Sequence, residues 1–374
     1  MGAIDDYTAT FREDPGYLNW AAFGPMSPAA RTALADDADL LATGRAEGIA
    51  ATAGRTAEAQ AAVAGLLGSA PDEVTVHPSS THALQQALAG LDGAVVASAA
   101  EFPSVTITLE RAAAASGGRL APRWIAPAGT RVTAAAVAEA LNPAVTALVV
   151  SHVDFRSGYR ADLAALREVL GEDRLLIVDA VQSFGVVDED WAVADVVVGH
   201  GYKWLRAGRG TGFARFTDRA RERIRPVLSG RIATAAAGLP TDALPDPALS
   251  AQAYAVSAPD PLAAGRLAAA ATEIQDVGVG AIAGRLSRNV DALLDIADRH
   301  GIEVVSSRAP AERAGIVVLV PADPQRVGDA LAAAGIQVTV RAGAVRVAPH
   351  AGTSAETLGL FDAALADARE FTRP

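Results

Sequence analysis

The chain has 374 residues, a formal net charge of −11, 51% hydrophobic and 20% charged residues, and no cysteine. This length and balance suit one large α/β unit or two domains around a substantial core, and exclude a mostly disordered chain. Without cysteine there are no disulfides, no cysteine-ligated metal centres and no cysteine nucleophile, and the negative charge argues against a nucleic-acid partner. The N-terminus carries Asp5 and Asp6 where a secretory signal has a basic region, and no strongly apolar run of about 18 residues offers a membrane span. A cytoplasmic location without membrane attachment is the expectation.

In chain order, Pro28 opens a predicted helix through about Ala42 with Ser27 as its N-cap. A second helix is expected over Thr52–Leu67, then a strand at Val74–His77 and a helix capped by Ser79-Ser80-Thr81. Short apolar strands follow at Ala94–Ala97, Ala147–Val150, Leu175–Val178 and Val196–Val198, with another near Gly212–Phe216. Helices are expected near Val132–Leu141 and Leu163–Leu170. This alternation predicts a largely parallel sheet with helices on both faces. Gly230–Pro261 reads as a long connection, and helices resume at Leu262–Gln275 and Ala281–Arg299. Strands at Glu303–Ser306, Gly315–Val320, Gln337–Val340 and Ala344–Val347, a helix at Pro324–Ala334 and a closing helix at Ala355–Arg369 predict a small α+β domain. The expected division is an N-terminal segment (1–20), a large domain (21–260) and a small C-terminal domain (261–374).

Lysine occurs once, at Lys203; every other basic side chain of this type is arginine. Arginine cannot serve as a neutral amine, whereas lysine can lose its proton and form a Schiff base. The strand Leu175–Val178 runs into Asp179, and the strand Val196–Val198 is followed by Gly199-His200-Gly201-Tyr202-Lys203-Trp204. In open parallel sheets, ligands bind outside the carboxyl ends of strands, so Asp179 and Lys203 are expected to face one crevice. Pyridoxal phosphate requires such a pair, a lysine for the imine and an acid to keep the pyridine nitrogen protonated.

Asp179-Ala180-Val181-Gln182-Ser183 together with Gly199–Leu205 resembles the core of the class V aminotransferase family of fold-type I pyridoxal-phosphate enzymes, which includes cysteine desulfurases, kynureninases and isopenicillin N epimerase-like proteins. The resemblance extends from Tyr17-Leu18-Asn19 to Arg346-Val347-Ala348-Pro349-His350. It implies a mainly parallel mixed sheet between helices, a small C-terminal domain, pyridoxal 5'-phosphate as cofactor, and a homodimer with sites at the interface. Lys203 and Asp179 take the catalytic roles. Gln182 is implied beside the ring's phenolic oxygen, Ser80, Thr81, His200 and Tyr202 at the phosphate, and Phe102 against the ring. For Ser80 and Thr81 the physics agrees, because a helix N-terminus favours a phosphate. Arg346 is implied to grip the substrate carboxylate, with Arg341 as a second candidate and Asn19 at the pocket edge. Phe102, Tyr202 and Asp154-Phe155-Arg156 resemble the kynureninase versions of their motifs.

The expectation is therefore a cofactor-dependent enzyme acting on a small amino acid, by transamination or by C–S or C–C lyase chemistry. Cysteine-dependent desulfuration is taken as excluded, since no protein thiol exists to accept sulfur; a C–S lyase without one stays open. The rivals are a non-catalytic protein that keeps the fold for binding, and a Rossmann-type oxidoreductase.

Overall fold

The computed structural model describes residues 2–126, 129, 131–235 and 244–368. Its larger sheet has seven strands: β1 (Val74–His77), β2 (Gly93–Ser98), β3 (Leu120–Ile125), β4 (Val145–Ser151), β5 (Leu175–Asp179), β6 (Val196–His200) and β7 (Gly212–Phe216). Their spatial order is β1-β7-β6-β5-β4-β2-β3. The five strands from β3 to β6 along this order run parallel, and β7 is antiparallel to both neighbours. Alternate residues feed two cores, as a side-chain period of two requires. Leu148, Val150, Leu176, Val178 and Val197 pack on one face, and Ala147, Val149, Ile177, Val196 and Val198 on the other. Burial on both faces explains why these strands read as unbroken Val/Ile/Leu runs.

The second sheet has four antiparallel strands, β8 (Glu303–Val304), β9 (Val317–Val320), β10 (Thr339–Arg341) and β11 (Ala344–Val347), in the order β10-β11-β9-β8. The two-residue turn between β10 and β11 has φ of 50° at Ala342 and 77° at Gly343. Positive φ at both central positions matches the twist of the flanking strands and fixes the register. Thr339 then pairs with Arg346 and Arg341 with Ala344. All four share one face, while Val345 and Val347 point into the core.

The N-terminal segment ties the two sheets together. Tyr17 and Asn19 bridge to Gln337 and Ala348 beside the smaller sheet. Further on, Gly24 N donates to Tyr202 O and Ser27 N to Arg206 O, both in the loop after β6. A Cβ at Gly24 would lie 1.9 Å from the Lys203 carbonyl oxygen, so only glycine permits this approach. Arg206, 1% exposed and with φ of 63°, donates to Thr10 Oγ1 and Thr10 O and lies 3.8 Å from the Phe11 ring centroid.

Several elements depart from the sequence expectation. The expected Thr52–Leu67 helix is two helices, Ala46–Ala53 and Arg55–Leu67, meeting at Gly54, the residue with least helix preference after proline. The helix Pro103–Ala115 and strand β3 were not anticipated. β3 contains Pro122, which reads against a strand; its edge position tolerates the missing N–H. The expected connection after Gly230 contains single turns at Arg231–Ala233 and Ala251–Tyr254, while its residues 236–243 lie outside the described residues. The closing helix spans Ala355–Asp367, and its expected end, Arg369, lies outside the described residues. Among the described residues, no helix is long and apolar enough to cross a membrane.

Arg206→Ala removes a buried cation whose donors hold Thr10. We expect a loss of about 3 kcal/mol in urea unfolding, together with faster proteolysis near Thr10. Unchanged stability would show that the N-terminal segment is anchored elsewhere.

Candidate active site

Strands β5 and β6 are neighbours and end on the same edge of the sheet, with Asp179 paired to Val198. Asp179 therefore closes β5 beside the point where β6 hands the chain to the Lys203 loop. Both side chains line a cavity of about 230 Å³ at the carboxyl ends of the strands. Asp179 is 5% exposed and Lys203 7%. Burial pushes the Asp179 carboxyl up to about 6, against the hydrogen bond from Val181 N (2.9 Å) and the nearby Lys203 charge. Burial also pushes the Lys203 amine down to about 7; Asp179 opposes this, and Arg346 and Arg209 reinforce it. At neutral pH the amine is therefore available in its unprotonated form, the one competent to add to a carbonyl.

The opposite end of the cavity is built for an anion. Ser79 caps the helix Ser80–Ala89, accepting from His82 N, and Ser79, Ser80 and Thr81 line the cavity. Unpaired N–H groups and the helix dipole favour negative charge there. Thr81 Oγ1 lies 3.0 Å from Ser104 Oγ. β7 starts close against this turn because Gly212 has no Cβ; one would lie 2.6 Å from the Ser79 backbone. His200 stacks on Tyr202 at 3.7 Å between centroids. Its Nδ1 is buried without a partner, and burial, then Lys203, holds the ring well below its ordinary value and so neutral. Arg209 also lines this end, 4.7 Å from the Tyr202 ring centroid, carried by a loop with positive φ at Gly208 and Gly210.

The side walls are Phe102 and Gln182. Phe102 makes an edge contact with Phe155 (5.1 Å, 87°). Gln182 Nε2 donates to Ala21 O and its Oε1 accepts from Trp204 Nε1, each at 3.0 Å. The amide thus locks the N-terminal segment to the Lys203 loop, with one N–H left over.

A second cavity of about 520 Å³ shares the Phe155 wall and is lined by Arg156, Arg341 and Arg346. Asn19 does not line either cavity. Its Oδ1 accepts from Thr339 Oγ1 (2.8 Å), and Thr339 in turn lies 3.5 Å from Arg346 Nη2. The expected pocket-edge residue therefore acts at one remove, through Thr339. Three charged lining residues carried no site assignment from sequence: Arg209, Arg156 and Glu101. Glu101 is buried, accepts from Ser151 N at 3.0 Å and from Ser151 Oγ, and is pushed up to about 7 chiefly by burial. Its position directly before Phe102 was the available signal.

The described residues contain no cluster of three His, Asp or Glu that could hold a metal. Gly208–Gly212 leads into an antiparallel strand and not into a helix, so it lacks the geometry of a dinucleotide loop.

No family sequence profile matches the chain, and no curated protein sequence is similar to it. Solved structures share its fold over nearly the whole length. The cystine C–S lyase C-DES, in complex with its reaction product cysteine persulfide, superposes with a TM-score of 0.86 at 20% identity, covering 96% of this chain and 98% of that one. A cysteine desulfurase from Thermococcus onnurineus NA1 gives 0.83 at 19% identity, covering 95% of each chain. The cysteine desulfurase CsdA from Escherichia coli gives 0.81 at 16%, covering 98% of each. The fold is that of fold-type I pyridoxal-phosphate enzymes. The exclusion of desulfurases drawn from the missing cysteine is corrected by these neighbours: two of the three are cysteine desulfurases. In C-DES the product is itself a persulfide, so a missing protein thiol does not separate the chain from this group.

Because Lys203 is the only lysine, reductive methylation with 13C-formaldehyde labels one side chain plus the N-terminus. We expect its resonance in the cofactor-free protein to titrate with a midpoint near 7. Between there and the unfolded value of about 10.4, the unfolded chain holds a proton that the folded one does not, so stability rises with pH across that window. Lys203→Met should remove that rise in urea unfolding. A midpoint above 10 would contradict the desolvation argument.

Proposed function

We propose that this protein is a pyridoxal 5'-phosphate-dependent C–S lyase of class V aminotransferase type, acting on a small sulfur-containing amino acid. The observation that carries this reading is the sole lysine, buried beside Asp179 at adjacent strand ends, in a cavity whose far side is a helix N-terminus. The residues present fit the cofactor. Lys203 offers an unprotonated amine, Asp179 a buried carboxyl, and Ser79–Thr81 with the unpartnered His200 Nδ1 an anion cradle.

When bound, the cofactor supplies an electron sink that stabilises negative charge at the substrate Cα. Asp179 would hold the proton on the pyridine nitrogen. Phe102 would cover the ring and exclude water. Arg346, pushed down to about 10 by burial but still cationic, would orient the substrate through its carboxylate. Lys203 would take the Cα proton, and sulfur would leave from Cβ with the bonding pair. The three-carbon fragment then hydrolyses to pyruvate and ammonia. The comparison with C-DES and the desulfurases supports sulfur as the leaving atom.

Reconstituted protein should be yellow, and borohydride should bleach it while fixing the cofactor's mass on Lys203. Pyruvate and ammonia should be released from cysteine- or cystine-type amino acids without a keto-acid acceptor. Lys203→Ala should abolish turnover, and Asp179→Asn should slow it by about 10²-fold or more while retaining cofactor. Full activity in Lys203→Ala would end this reading.

A homodimer belongs to the same reading. Ile107 and Leu228 are exposed, and with Phe102 they line an apolar groove of about 510 Å³ that shares Thr81, Phe102 and Ser104 with the cofactor cavity. A second copy seated there would complete the wall of the site. Ile107→Arg should shift the sedimentation coefficient to that of a monomer and weaken cofactor retention.

A further inference from the structure

We propose that the larger cavity is a second anion site, and that the substrate is a dianionic amino acid whose sulfur-linked group ends in a carboxylate or sulfonate. This rests on the lyase reading for the amino-acid half of the ligand. The anion site itself does not.

Three guanidiniums converge on one residue. Arg156 lies 5.5 Å and Arg341 4.6 Å from the Phe155 ring centroid, while Arg346 Nη1 donates to Phe155 O at 3.3 Å. The hairpin register explains two of them, since Arg341 and Arg346 share the face of β10–β11 that lines the cavity. The third comes from the turn after β4. There Asp154 Oδ1 accepts from Arg156 N, Ser157 N and Ser157 Oγ. Gly158, with φ of 72°, closes that turn; a Cβ there would lie 2.4 Å from Ile316 O.

Among the described residues, Arg341 and Arg346 have no counter-charge and Arg156 has one loose ion pair. Beyond its contact with the Phe155 ring, the Arg341 guanidinium has no hydrogen bond or ion pair among the described residues. Arg346 makes only long contacts (3.3 and 3.5 Å), and its Nε is buried without a partner. Arg156 Nε and Nη2 are likewise without hydrogen bonds, and its ion pair with Asp154 Oδ2 is long, at 3.7 Å, while the other oxygen of that carboxylate is held by the turn. Among the described residues, Glu101 is the one acid lining the cavity. Its oxygens are taken by Ser151, and its carboxyl is pushed up to about 7. Arg346 is held down chiefly by burial and further by the like charge of Arg341. One substrate carboxylate satisfies Arg346. Arg156 and Arg341 then remain for a second anion beyond it.

The test uses glutarate and its monoamide, glutaramate, two shape-matched acids without an amine, so neither can react with the cofactor. Calorimetry on the reconstituted protein, and again on the cofactor-free protein, should show glutarate binding at least about tenfold tighter than glutaramate, with a steep loss in salt. Arg156→Gln/Arg341→Gln should bring the two to parity while circular dichroism stays unchanged, and the more exposed single variant Arg341→Gln should lose part of the preference. Turnover should follow the same order, with S-carboxymethylcysteine and S-sulfocysteine both ahead of S-carbamoylmethylcysteine; the faster of the two acids identifies the terminal group. Equal binding of glutarate and glutaramate to the wild-type protein, or a preference that survives in the double variant, overturns the second site. A glutarate preference without any amino-acid turnover would leave the site standing and remove the lyase reading instead.

Discussion

The desolvation of one amine is the constraint on which the rest of the site depends. A lysine in water is protonated until about pH 10.4 and is useless as a nucleophile at neutrality. Here the β6 strand delivers Lys203 into a cavity that Phe102, Phe155, Val153 and Val181 line together with polar side chains, where burial outweighs the stabilising charge of Asp179. The same burial raises Asp179. The covalent neighbours of both groups are rigid: β5 and β6 are fully buried central strands, and the loop after β6 is gripped by Gly24, Ser27 and Gln182.

The small domain contributes through register. With a two-residue turn, pairing Thr339 with Arg346 leaves both arginines on one face. A slip by one residue would bury the guanidiniums and expose Val345 and Val347, so the hydrophobic core beneath the hairpin enforces the position of its charges. Ala342 sits at φ 50° in that turn, a conformation that alanine adopts at a cost and that asparagine or glycine would adopt more freely.

Much of this was legible from sequence where chemistry and periodicity coincide. Lys203 stood out as the only lysine, and Asp179 as an acid ending an apolar strand. Other residues were not legible, for physical reasons. Arg209 is one arginine in an arginine-rich chain, and a loop of left-handed glycines brings it to the anion end. Arg156 lies far in sequence from Arg341 and Arg346 and meets them only because Gly158 lets its turn approach β9. Asn19 fell in the right region, yet its side chain is spent on Thr339. The missing cysteine misled because composition states what the chain lacks and says nothing about where a sulfur atom departs. A small-molecule product carries sulfur as well as a protein thiol does.

The segment from Thr10 to Ser27 is where these features become coupled. It bonds to the smaller sheet at Leu18 and Trp20 and to the Lys203 loop at Gly24 and Ser27, and its Ala21 carbonyl holds Gln182. The segment that flanks the arginine-bearing hairpin is thus a strap that also lies against the lysine's own carbonyl. Buried Arg206 fastens the strap at Thr10 and Phe11, and Trp20, Phe11 and Trp204 pack around His350, which burial keeps neutral. Residues on the walls of the outer and the inner cavity are in this way joined by backbone contacts to one segment. No residue of the strap itself has to reach the substrate.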